Sequence, residues 1–206
     1  MRALVTAVLL LISMRHTAFL HHLAVLYGQQ RTCFRGRLLY KVTVMLDSSH
    51  PSDQPSCHCM LIFRRLGPED STSMHELEKR CFTQPWTEKQ CRAAFEQKAF
   101  VALGLLQEQK LVAYVSFYHS VDDLEILNLA VCPEKRRSGI GRRMLNQVLQ
   151  VAAKMDIQRV LLEVRRGNHP AIMLYESCGF RPAGVRLCYY SDTKEDALIY
   201  FLDLHN

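Results

Sequence analysis

Leu127-Asn128-Leu129-Ala130-Val131, followed by Arg136-Arg137-Ser138-Gly139-Ile140-Gly141, decides the architecture: an apolar strand runs into a glycine-rich turn, and the turn opens an amphipathic helix. Ile140, Met144, Leu145, Val148, Leu149 and Ala152 recur at helical spacing through about Met155, and Arg159 to Val164 reads as a buried strand. Strand, turn, helix and strand form one unit, which must be a right-handed crossover if its strands are adjacent and parallel. Glycines let the chain approach an anion closely, and the N–H groups and dipole of a helix start favour negative charge. The turn therefore reads as a phosphate-binding site built from main chain.

Working outward, the pattern alternates between strand and helix periods. Leu61 to Leu66 reads as a short strand and Pro68 to Phe82 as a helix with proline in its first turn. Thr87-Glu88-Lys89-Gln90 has capping-box form and opens a second helix through about Glu96. Strands at Phe100–Leu106, Leu111–His119 and Leu124–Val131, joined by polar turns, predict an antiparallel meander. Asn168 or His169 caps a short helix that carries Pro170 and ends at Gly179. Strands near Val185–Tyr190 and Ala197–Leu204 complete a mixed sheet, so the fold class is α/β (α+β mixed sheet).

The 206 residues suit one domain with an extension. Residues 1–59 hold six basic and two acidic side chains, so most of the net +6 charge lies there and the body is nearly balanced. That balance argues against a nucleic-acid binder. Ala3 to Ile12 after Arg2 has the look of a signal peptide but is too short to span a membrane, and a basic presequence is another reading. Because Met60 begins a coherent domain, residues 1–59 are expected to be a disordered extension or a leader upstream of the working start, and residues 60–206 the working domain. The eight cysteines are spaced irregularly within predicted elements and read as reduced core thiols. Cys57-His58-Cys59 lacks a second ligand pair, so no metal site is expected.

Two residues carry acid/base chemistry. Glu163 interrupts Val160-Leu161-Leu162-Glu163-Val164, whose continuous apolar run predicts burial on both faces. A carboxylate there is desolvated and raised toward the range of a general base. An edge position, or a salt bridge to Arg165 or Arg186, is the alternative. Tyr175 lies on the next helix among apolar residues, where a phenol is either a core aromatic or a proton donor. The turn itself lacks the third glycine of a dinucleotide fingerprint and the Gly-Lys-Ser/Thr of a nucleotide P-loop. A helix start with a solvated charge run is its plain structural reading.

Arg-x-x-Gly-x-Gly after the apolar strand resembles the acetyl-coenzyme A pyrophosphate loop of GCN-five-related N-acetyltransferases (GNAT). Leu162-Glu163-Val164-Arg165, Asn168, Ala171, Leu174-Tyr175 and Gly179-Phe180, with Tyr189-Tyr190 and Glu195-Asp196-Ala197, are similar to the ribosomal-protein-alanine branch (RimI) of that superfamily. The similarity covers about Leu61 to Leu204, including Phe82-Thr83-Gln84-Pro85-Trp86. It implies the GNAT acyl-CoA N-acyltransferase fold, antiparallel N-terminal strands with a central parallel pair, and acetyl-CoA as co-substrate. It implies Glu163 as general base and Tyr175 as general acid. Leu129, Ala130 and Val131 would hold the pantetheine arm; Arg137, Ser138, Gly139, Ile140, Gly141 and Arg142 the pyrophosphate; and Asn168 a further cofactor contact. Trp86 and Tyr190 would line the acceptor cleft, with a core anchor as the alternative for Trp86.

The implied reaction is acetyl transfer to a protein N-terminal α-amine, the alanine of ribosomal protein bS18. A small-molecule amine or lysine acetyltransferase and a non-catalytic acetyl-CoA-binding module are the rivals. The expected setting is a cytoplasmic monomer with a ribosomal-protein N-terminus as partner, and neither nucleic acid nor membrane. Gly167 stands where the family usually has serine, Ser191 where proline is common, and the turn before Glu195 is short. The last two departures bear on acceptor choice more than on catalysis.

Overall fold

The computed structural model describes residues 61–205. The expected leader at 1–59 and Cys57-His58-Cys59 lie outside them. The elements run β1 (Leu61–Arg65), α1 (Ser71–Cys81), α2 (Glu88–Ala94), β2 (Phe100–Gln107), β3 (Lys110–His119), β4 (Asp123–Val131), α3 (Ile140–Lys154), β5 (Arg159–Arg165), α4 (His169–Glu176), β6 (Arg181–Arg186) and β7 (Ala197–Asp203). Seven strands make one mixed sheet in the order β1-β2-β3-β4-β5-β7-β6. Only β4 and β5 are parallel, joined by α3; every other pairing is antiparallel.

Local chemistry sets the element ends. Pro68–Asp70 forms a 3-10 turn before α1, so the single helix expected from Pro68 begins as two pieces. Thr87 caps α2 by accepting from the Gln90 N–H, and Gln90 returns the bond to the Thr87 N–H, as the capping box predicts. Asn168 caps α4 with its side chain on the Ala171 N–H.

The core lies on both faces of β3 and β4. Tyr114 and Asn128 point toward α1, since both bond to its Glu78. Leu129 and Val131 point the other way, toward α3, where they lie beside Gly141. Helix α3 buries Ile140, Met144, Leu145, Val148 and Ala152. At roughly 1.5–3 kcal/mol for each large apolar side chain, that stripe outweighs the ~1 kcal/mol helix cost of Gly141 in its first turn.

The last strand pair departs from expectation. Strand β6 occupies Arg181–Arg186, not Val185–Tyr190. Pro182 and Gly184 are tolerated because β6 is an edge strand paired only with β7, across a register shift at those residues. Leu187 to Tyr190 belong instead to the connection into β7.

Candidate active site

The parallel pairing of β4 with β5 stops at Ile126 and Leu162, although β4 runs on to Val131 and β5 to Arg165. The cause is local. Leu127 is an extra residue in β4, for Ser116 faces Asn128 while Phe117 faces Ile126. Such a bulge bends its strand, and here the two strands part just beyond it. The Cys132 N–H bonds to the Val112 carbonyl, so Cys132 and Val112 are a hydrogen-bonded pair and the neighbouring pair Ala113–Val131 is not. By the same alternation, the N–H groups of Leu129 and Val131 turn away from β3, into the gap left by β5. Arg136 Nε donates to the Val131 carbonyl at 3.2 Å, and Cys81 Sγ lies 3.4 Å from the same oxygen.

The glycine turn borders this gap. Gly139 adopts φ 80° as the N-cap of α3, a conformation that favours glycine, and a Cβ there would meet open space. The first amides of α3 have no partners within the helix, and the fifteen-residue helix directs its positive end toward them. Gly141 is small for another reason: a Cβ would lie 3.2 Å from Leu174 Cδ2 and 4.0 Å from both Leu129 Cδ2 and Val131 Cγ2. The turn, the end of β4 and helix α4 thus meet at one point.

Glu163 and Tyr175 approach the split from opposite sides of the sheet. In β5 burial alternates: Val160, Leu162 and Val164 are buried, while Leu161, Glu163 and Arg165 face the α1 side with partial exposure. This corrects the expectation of burial on both faces. The Glu163 side chain keeps 20% exposure and is ion-paired, accepting from Arg186 Nε at 2.6 Å. The Tyr189 phenol is pushed up to about 12, by burial first and then by the nearby Glu163 carboxylate.

Tyr175 sits on α4, on the α3 side, nearly buried, with its ring against Phe180. Burial, and secondly the Tyr190 phenol, push its hydroxyl up to about 12. Tyr190 interacts electrostatically with Glu163 as well. One aromatic residue is therefore coupled electrostatically to both the carboxylate and the phenol.

The profile described as Acetyltransferase (GNAT) family matches residues 71–180. The chain belongs to the GNAT family. A relative from Escherichia coli (strain K12), named [ribosomal protein bS18]-alanine N-acetyltransferase, is 34% identical over 141 residues, 68% of this chain and 95% of that one. The crystal structure of the ribosomal-protein-S18-alanine N-acetyltransferase from Escherichia coli superposes with a TM-score of 0.66 at 32% identity, covering 70% of this chain and 94% of its own. Arabidopsis thaliana NAA60, solved in complex with acetyl-CoA, shares the fold with a TM-score of 0.66 at 17% identity, covering 71% of this chain and all of its own.

In this GNAT chain two loops form a roof over the α1 side of the split. Thr83 Oγ1 donates to Asp192 Oδ2 at 3.1 Å, and Gln84 Nε2 donates to Ser191 Oγ at 3.4 Å. Arg165 pins the second loop: it pairs with Asp192 at 2.8 Å and Glu195 at 3.4 Å, and its guanidinium stacks 3.8 Å from the Tyr190 ring centre. Gly167 has its own reason here, because its N–H donates to Glu195 Oε1 at 2.6 Å and a Cβ would stand 2.9 Å from that oxygen.

The remaining expected residues divide. Arg142 sends its guanidinium to Ser177, donating to Oγ at 2.7 Å, so only its backbone is left for an anion at the turn. Ser138 Oγ donates to the Lys135 carbonyl and closes the turn. Arg137 is exposed, at φ 59°. The Asn168 carbonyl oxygen is engaged by its cap. Trp86 is held as an anchor: its N–H donates to Glu78 Oε2 at 2.9 Å, its carbonyl accepts from His75 Nδ1 at 2.7 Å, and its ring lies 6.4 Å from Phe100.

Of the two salt-bridge partners the sequence offered for Glu163, the structure selects Arg186, while Arg165 turns to the 191–195 segment; Glu78 is the candidate residue that sequence reasoning did not place. Glu78 is fully buried, and its Oε1 accepts from the Tyr114 hydroxyl and from Asn128 Nδ2, tying α1 to the strand that carries the backbone donors. Burial raises its carboxyl above the ordinary value, against the lowering effect of those bonds. Its spacing with Met74 and Leu77 on the buried side of α1 was the available signal. Among the described residues no group of side chains could hold a metal ion, and no helix is long and apolar enough to cross a membrane. The described cysteines are all free thiols.

Proposed function

We propose that this chain transfers acetyl from acetyl-CoA to the N-terminal α-amine of a protein, the alanine of ribosomal protein bS18. The observation that carries the reading is the open stretch of β4, with two unpaired backbone N–H groups flanked by Glu163 on one side of the sheet and Tyr175 on the other. Those N–H groups suit the amides of a pantetheine arm, and the amides of the glycine turn suit a diphosphate. The roof from the 83–84 and 191–195 segments leaves a chain end better placed than a bulky internal side chain to reach the split.

The chemistry asks little of the base. An α-amine has a pKa near 8, so about a tenth is unprotonated at neutral pH. Glu163, directly or through water, takes the proton lost as the amine forms its bond to the acetyl carbon. The Val131 N–H serves as the main-chain donor for charge developing on the carbonyl oxygen. Tyr175, kept protonated by burial, donates its proton to the departing thiolate as the thioester bond breaks. On this reading the enzyme works in the cytoplasm as a monomer, without nucleic acid.

Incubating the full chain with labelled acetyl-CoA and an Ala-initiated bS18 peptide, the same peptide N-blocked, a lysine-containing peptide or a polyamine tests the assignment. Label on the free α-amine alone supports it. Label on lysine or polyamine replaces it with a side-chain or small-amine activity, and no transfer to any acceptor removes catalysis.

A further inference from the structure

Resting on the function proposed above, we infer that Arg186 is a positioning residue that acts through Glu163. In the free enzyme its guanidinium holds the side of the carboxylate at which the acceptor α-ammonium must arrive, and the acceptor exchanges with it. Arg186 Nε lies 2.6 Å from Glu163 Oε1, so a guanidinium already neutralises the carboxylate that an arriving ammonium would pair with, and the two cations compete for it. The pair is unequal: the Arg186 side chain is 55% exposed and the Glu163 side chain 20%. Arg186 is the last residue of edge strand β6, with one backbone neighbour, so its side chain can swing outward without disturbing the sheet.

The surroundings supply what an exchange needs. The Tyr189 ring, 5.7 Å from the Arg186 guanidinium, gives the cation a face to move along when it leaves the carboxylate. Glu125, on β4 and on the same face, feels the charges of both Glu163 and Arg186 and offers a second carboxylate to the displaced cation. Its carboxyl is raised by partial desolvation first and by Glu163 second, although part of the side chain meets solvent. Tyr118 from β3, Arg165 from β5 and Tyr190 complete the groups on this face. At neutral pH about nine-tenths of an α-amine is ammonium, so a cation is the species that competes.

An ion pair this exposed contributes at most about 1 kcal/mol, or roughly fivefold in an equilibrium. With the full chain, saturating acetyl-CoA and the Ala-initiated peptide, R186Q is expected to lower the acceptor KM about two- to fivefold, with a smaller change in kcat. R186K, which keeps the cation, returns KM toward the wild-type value. Calorimetry of the peptide with the enzyme–CoA complex reads the same tightening without chemistry, and R186M serves if R186Q does not fold. A KM and an affinity that stay the same or weaken in the neutral variants overturn the exchange. A wild-type enzyme that acetylates no N-terminus overturns the function beneath it as well, so the two failures are distinguishable.

Discussion

Leu174 rests on Gly141. The leucine before the candidate proton donor thereby touches the first turn of the helix whose amides face the proposed phosphate site, with 3.2 Å between Leu174 Cδ2 and the position of a Cβ on Gly141. On the proposed function, phosphate binding and the placement of Tyr175 therefore depend on the same small residue.

Gly141→Asp puts a negative charge at the anion site and a side chain against Leu174. The dissociation constant for acetyl-CoA is expected to rise at least about tenfold, since an anion at a helix N-terminus opposes a second one. Gly141→Ala, which needs only a few tenths of an ångström from a flexible leucine methyl, is expected to cost much less. Titration calorimetry on both variants checks the order, and equal affinities would refute it.

Glu163→Gln and Tyr175→Phe are expected to bind acetyl-CoA as wild type does while losing about 10²–10⁴ in kcat. The pH dependence has a definite sign. In the proposed role the Tyr175 phenol acts when protonated, and burial pushes it up to about 12, so its contribution is full at neutral pH and is lost only as pH rises toward that value. A wild-type alkaline loss near pH 9 that vanishes in Tyr175→Phe would contradict the assignment.

Arg165→Ala removes the clamp on Asp192 and Glu195 and the stack on Tyr190. Misplacing that wall is expected to raise the acceptor KM on the order of tenfold and leave acetyl-CoA affinity unchanged. Arg165→Lys is expected to recover little, because an ammonium lacks the planar fork and the stacking face. Steady-state kinetics with each substrate varied in turn decides it.

Glu78→Gln tests the buried link from α1 to β4. An amide cannot accept at both ends, so it faces either the Trp86 N–H or the Tyr114 and Asn128 donors with a mismatched group, at a cost of about 1–3 kcal/mol. The folded carboxyl is raised above its ordinary 4.5, so its stability contribution is full below that value and is lost as pH rises through the folded one. Urea unfolding across that range should therefore show a shallower fall for Glu78→Gln than for wild type.

Most of the sheet was legible in the sequence because strand and helix periods are strong from Phe100 to Val164, and the capping residues Thr87 and Asn168 carry their own chemistry. The last strand pair was not. Leu187 and Tyr189 alternate like a strand but belong to a loop held by Arg165, Leu187 being largely solvent-facing and Tyr189 less so, while Pro182 and Gly184 disguise an edge strand as a turn. Glu163 was found by its intrusion into an apolar run, yet its hydration was misjudged, because a run of leucines does not reveal that a neighbouring strand has turned away. Glu78 was missed for the opposite reason: a glutamate on an amphipathic helix looks solvated, and its partners Tyr114 and Asn128 lie 36 and 50 residues along the chain.

Leu127 gives β4 one residue more than β3 can match. A sheet zipped to its end there would be the better-satisfied sheet and would offer a guest nothing to hold. Deleting that single position would shorten the chain by less than four ångströms and make the ladder with β3 regular, removing the bend at which β5 parts from β4, so on the proposed function the room for a ligand in the middle of this sheet hangs on one surplus leucine rather than on any loop.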